Sequence, residues 1–155
     1  MGTISNFMKI RRDGKIIPEE MTLEQLEDIG WAPDKITRVQ WDYEGRRIEL
    51  NDPDGSGLYV EVIDDRTAVA VNMDEYISII DADGSLRLRV PNVQNIGGKE
   101  LKGKFAWFGE VESGMTHCFA VVFEVPPVKW DEGSDFYLLH IDSMNGKLLK
   151  WHWTR

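Results

Sequence analysis

The sequence predicts a mainly β protein (α+β), an antiparallel meander closing as a sandwich or barrel, with one short N-terminal helix. Three observations carry this. From Ile36 onward apolar and polar residues alternate with period two. Asp, Asn and Gly stand between these runs in combinations that suit hairpin turns. The runs return roughly every 8–12 residues, the spacing of antiparallel sandwiches and barrels.

The elements follow in order. Phe7 to Arg12 and Lys15 to Ile17 flank Asp13-Gly14, a two-residue hairpin signal. Thr22-Leu-Glu-Gln25 reads as a capping box, Leu23, Leu26 and Ile29 follow at helical spacing, and Gly30 ends the helix near residues 22–29. Ile36 to Tyr43 pairs with Arg46 to Leu50 through Glu44-Gly45. Leu58 to Ile63 and Thr67 to Val71 flank Asp64-Asp65-Arg66, and Tyr76 to Ile80 and Ser85 to Val90 flank Asp81 to Gly84. After the loop PNVQNIGG come Lys104 to Val111, Met115 to Val125 and Asp135 to Asp142. Lys147 to Trp153 follows the Asn145-Gly146 turn. The hairpin around Asp81 echoes the one around Asp142, and with no third copy this falls short of a propeller repeat.

A chain of 155 residues with 42% hydrophobic and 29% charged side chains is read as one globular domain, 1–155. No apolar run reaches the roughly 20 residues that cross a bilayer, and MGTISNFMKIRR lacks the apolar core of a signal peptide. Asn6 stands where a myristoylation pattern wants Ser or Thr. A single cysteine, Cys118, requires no oxidising compartment. The expected location is cytoplasmic, without membrane contact.

Asp52-Pro-Asp-Gly-Ser-Gly57 imitates the start of a calcium loop, but Ile63 stands where the bidentate Glu of position 12 belongs. The segment is read as a turn, and no metal or cofactor is expected. His117 and Cys118 are adjacent, so in a strand they face opposite ways, with His117 on the side of Phe119, Val121 and Phe123. His117, His140 and His152 lack the i, i+4 spacing of a helical zinc motif. No catalytic residue is assigned. Leu149, Trp151 and Trp153 share one strand face, with Lys150 and His152 on the other, and the tryptophans are expected to join Phe105, Trp107 and Phe136 in a core.

The charge is uneven. Residues 42–83 hold Arg46, Arg47 and Arg66 against twelve acids, which accounts for the whole net charge of −9. Most of the acids fall in turns, Asp81 and Asp83 among them, and alternate turns of a meander project from one end. Such an end attracts a basic protein and repels nucleic acid. The expected partner-binding residues are Asp42, Glu44, Asp52, Asp54, Asp64, Asp65, Asp74 and Glu75.

An acidic, Trp-rich β domain with segments such as YISIIDADGSLRLRVPN and FYLLHIDSMNGKLLKWHW resembles the small bacterial immunity proteins of polymorphic toxin systems. The resemblance implies a non-catalytic antitoxin that docks an acidic surface on a basic toxin domain. Two rivals belong to other classes: a β-barrel enzyme using Asp52, Asp54, Asp64 and Asp65, and a ligand-binding or structural β module using its aromatic residues.

Overall fold

Short β-prone runs joined by turns of Asp, Asn and Gly give a chain of strands. The computed structural model describes residues 2–19, 24, 35–52, 57–73, 75–127 and 133–154. Its strands are β1 (Ser5–Arg11), β2 (Ile16–Pro18), β3 (Ile36–Tyr43), β4 (Arg46–Asn51), β5 (Tyr59–Ile63), β6 (Ala68–Asn72) and β7 (Tyr76–Asp81). They continue with β8 (Leu86–Pro91), β9 (Val93–Ile96), β10 (Lys99–Lys102), β11 (Lys104–Gly109), β12 (Cys118–Val125), β13 (Asp135–Asp142) and β14 (Leu148–Thr154). These make three four-stranded sheets, ordered β2-β1-β3-β4, β5-β6-β7-β8 and β11-β12-β13-β14, and the hairpin β9-β10. All the pairings are antiparallel.

The three sheets stack as layers, with β5-β6-β7-β8 in the middle. Period-two alternation gives its inner strands, β6 and β7, two covered faces. Ala68, Ala70, Ile77 and Ile79 pack with Phe119, Val121, Phe123, Leu139 and Ile141 of the third sheet. Val60, Val69 and Val71 pack with Phe7, Val39 and Trp41 of the first. This explains β6, Ala-Val-Ala-Val-Asn, in which every residue is buried. A strand covered on both sides needs apolar residues at both parities.

Hydrogen bonds between layers fix which ends coincide. At one end, here the turn end, Trp41 Nε1 donates to Ala82 O at 2.7 Å and Ile4 N to Arg66 O at 2.7 Å. There too the Ser143 hydroxyl donates to Asp64. At the far end Leu58 N donates to Ile36 O at 2.8 Å and Asn72 Nδ2 to Phe105 O at 2.8 Å. The β3–β4, β5–β6, β7–β8 and β13–β14 turns therefore all lie at the turn end.

Several expectations change. The sheets stack open and close no barrel. The expected helix at 22–29 lies outside the described residues except for Glu24, and the described elements are all strands. PNVQNIGG is not a loop: Gly97 and Gly98, at φ +61° and +85°, make a two-residue turn that pairs β9 with β10. The echo of Asp81 and Asp142 has a third copy at Asp42. Trp-Asp-Tyr-Glu-Gly-Arg, Ile-Asp-Ala-Asp-Gly and Ile-Asp-Ser-Met-Asn-Gly each join the last two strands of one sheet.

Candidate functional site

The turn end is where the acidic stretch is organised, and its carboxylates are of two kinds. Asp64 is the buried kind. It sits with Asp65 and Arg66 in a run of left-handed residues (φ +55°, +51° and +69°) closing the β5–β6 turn. Its side chain is 2% exposed and pairs with Arg87 Nη1 at 2.7 Å. The Ser143 hydroxyl donates to its other oxygen, and His117 Nδ1 stands 3.7 Å away. Arg87 also binds Asp81 at 2.6 Å and donates to Ser143 O at 3.2 Å. Asp64 thus ties the middle sheet to the third. Its carboxylate is a bolt between layers, engaged by Arg87 and Ser143.

Of the remaining acids of this end, Glu44, Asp65 and Asp83 are exposed and Asp42, Asp81 and Asp142 half-buried. Asp42 accepts from Asn6 Nδ2 at 2.9 Å and lies 3.8 Å from Arg47. Glu44 and Asp65 are exposed. Asp83 accepts from the Ser85 amide and hydroxyl, at 2.9 and 2.6 Å, and these bonds, the hydroxyl's first, hold its carboxyl below the usual range. Asp142 caps its own turn through the amides of Met144 and Asn145, at 2.7 and 3.2 Å. The other expected residues do not join them. Asp52 lies at the far end, accepting from Gly57 N at 2.6 Å, and Glu75 is exposed at the β6–β7 turn of that same end. Asp54 and Asp74 lie outside the described residues. Asp81 and Asp83 of the acidic stretch also lie at the turn end, and Asp142, outside that stretch, joins them.

Beside this end, a cleft of about 340 Å³ separates the β5–β6 turn from the segment before β12, lined by Asp65, Arg66, Met115, His117 and Cys118 among others. His117 leaves the strand at φ +53° and is 62% exposed, so it does not share the inward face of Phe119. Burial pushes the Cys118 thiol up, helped by the nearby charges of Asp142 and Asp64. A thiol held protonated is a poor nucleophile. His140 is committed elsewhere: its Nε2 accepts from Glu112 N at 3.1 Å, anchoring the segment after β11. Burial, then the neighbouring His152, lower its pKa.

A larger groove of about 770 Å³ runs along β5 between Phe7, Lys9, Tyr59, Glu61 and Phe108. Burial lowers the Lys9 pKa against the pull of Glu61 and Glu19, and burial raises that of Glu61 against the pull of Lys9. The two half-buried groups soften each other's desolvation across the first two layers. Among the described residues, no group of three or more His, Cys, Asp and Glu is placed to hold a metal ion.

The aromatic C-terminus departs from its expected place. Phe105 is fully buried, but Trp107, Trp151 and Trp153 are 55%, 41% and 65% exposed. β14 is the last strand of its sheet, and the Trp151 ring lies beside Gly97 of the β9–β10 turn, where an added Cβ would come within 3.4 Å of it. Tyr137 meets Trp151 edge-on at 5.8 Å, and Trp107 and Phe136 lie 6.2 Å apart.

No family model matches the sequence, and no curated protein is similar to it. The fold, by contrast, has a counterpart. A chain in the solved structure of Tne2 in complex with Tni2 superimposes with a TM-score of 0.84, at 23% identity. The alignment covers 98% of this chain and 99% of that one. The likeness is of the whole fold. No helix among the described residues is long and apolar enough to cross a membrane.

Proposed function

We infer that this chain is the immunity member of a toxin–immunity pair, a binding protein that docks on a cognate toxin and blocks it. The observation that carries the reading is the fold shared end to end with one chain of a two-protein complex. In this reading Tne2 and Tni2 are toxin and immunity partners, and the present chain corresponds to the immunity member.

The arrangement of the carboxylates supports binding over catalysis. The enzyme alternative needs Asp52 and Asp64 in one site, yet β5 and its flanks separate them, roughly 17 Å of strand at about 3.3 Å per residue. Asp64 is moreover engaged by Arg87 and Ser143. The acids Asp42, Glu44, Asp65, Asp83 and Asp142 sit at or beside turns of all three sheets, with Glu44, Asp65 and Asp83 exposed, a base for a negative docking face. A basic toxin surface is the matching partner, met by long-range attraction and held by occlusion.

The test is neutralisation. The protein is used to capture its partner from the source cell, and the partner is then expressed alone and together with this chain. The reading expects growth arrest by the partner alone and recovery on co-expression. A captured partner that is harmless, or whose toxicity persists in stable complex with this chain, contradicts it.

A further inference from the structure

We propose that β14 is a self-pairing edge, through which two copies of this chain join their third sheets into one continuous antiparallel sheet. β14 pairs with β13 on one side only. Among the described residues, no backbone hydrogen bond engages its other edge. An unpaired edge carrying exposed apolar side chains is a template for another strand. Here Leu149, Trp151 and Trp153 are 48%, 41% and 65% exposed on that strand, with Leu149 at the register shift that separates the Ile141–Leu148 and His140–Lys150 pairs.

The occupant follows from the sequence of the strand. Leu149-Lys-Trp-His-Trp153 reads the same in either direction as apolar, polar, apolar, polar, apolar. A two-fold axis through Trp151 sets Trp151 opposite its copy and Leu149 opposite Trp153, so apolar meets apolar on one face. On the other face Lys150 comes opposite His152. The Lys150 charge is answered in advance: Glu112 Oε2 lies 2.6 Å from Lys150 Nζ, and 3.6 Å from His152 Nε2, of its own chain. An isologous contact needs this self-complementarity, which an arbitrary partner strand would meet only in part. With seven residues, β14 is about 24 Å long. Two such strands with two tryptophans each bury less than about 1,200 Å² in total, the size of weak, transient interfaces. The dimer should therefore dissociate in the micromolar range.

Sedimentation equilibrium of the purified protein across that range tests the pairing. The wild type should show a monomer–dimer equilibrium, and Trp153→Ala should weaken it by about tenfold or more. Far-UV circular dichroism should stay unchanged, because Trp153 is mostly in solvent. The axis is tested by oxidation. Trp151→Cys should form a disulfide-linked dimer, since residues at the axis are neighbours. Trp153→Cys should not, because the two copies of residue 153 lie roughly 14 Å apart, beyond the about 7 Å that a disulfide spans. A wild type that stays monomeric, or a dimer indifferent to Trp153→Ala, overturns the proposal. So does a monomer in which Trp153→Ala abolishes binding of the neutralised toxin, since the edge would then belong to that partner. Neutralisation itself does not depend on this dimer, so either reading can fail alone.

Discussion

Replacing Asp64 by Asn removes one negative charge from between two layers while keeping nearly the same shape. Asparagine tolerates the left-handed backbone at φ +55°, and its amide oxygen still accepts from the Ser143 hydroxyl. What is lost is the charged half of the 2.7 Å pair with Arg87, whose own side chain is 16% exposed. Stripping one partner from a fully buried pair costs about 3–5 kcal/mol. Arg87 keeps Asp81 at 2.6 Å, so the cost falls toward that of a single hydrogen bond to a charged group, about 2 kcal/mol. For a chain of this size that corresponds to a drop of roughly 4–8 °C in Tm. Urea unfolding followed by tryptophan fluorescence measures it, with a lower midpoint at unchanged m-value. The control is Asp65→Asn, in the same backbone conformation one residue on (φ +51°) but exposed, which should stay within about 0.5 kcal/mol. Equal effects at the two positions would refute the assignment of Asp64 as an interlayer bolt.

Two further outcomes concern stability. Trp41→Phe removes a buried donor from Ala82 O and leaves a gap between the first two layers, so it should cost about 3 kcal/mol in the same unfolding assay. His140 takes up a proton less readily when folded, because burial and then His152 oppose the charge. The stability this gives is whole above the ordinary histidine value of 6.5 and declines as pH falls below it, since the unfolded chain is protonated first. His140→Gln should flatten that decline, and an unchanged slope between neutral and mildly acid pH would contradict the burial argument.

Much of the fold was legible because turns announce themselves. Glu44-Gly45 places β3 and β4 within a residue of where they lie, and the Asp-led turns give β7, β8, β13 and β14 in the same way. Gly97-Gly98 is an equally plain signal, lost by grouping it with Pro91 and Asn92 as a loop. Layering was harder to read, although β6 carried a trace of it: an apolar residue at every position but the last means a strand buried on both faces. The third hairpin echo at Asp42 was hidden by Trp and Tyr flanks where the other copies have aliphatic or small residues. Nothing local separates Asp64 from Asp65, because partners 23 and 79 positions away decide which is buried. The tryptophans of β14 alternate as core residues do. Their exposure follows from the strand being last in its sheet, which is a property of strand order and not of the strand itself.

The division of the acids between two ends makes the docking face directly testable. One variant reverses Glu44 and Asp65 to Lys at the turn end, and a second reverses Asp52 and Glu75 at the far end, so both change the net charge equally. Stopped-flow association of each with the cognate toxin, over a salt series, separates position from overall charge. The account predicts that the turn-end variant associates more slowly and loses most of its salt dependence, while the far-end variant keeps a steep salt dependence and a near-normal rate. Equal rates and equal salt slopes for the two variants would mean that the turn end is not the docking face.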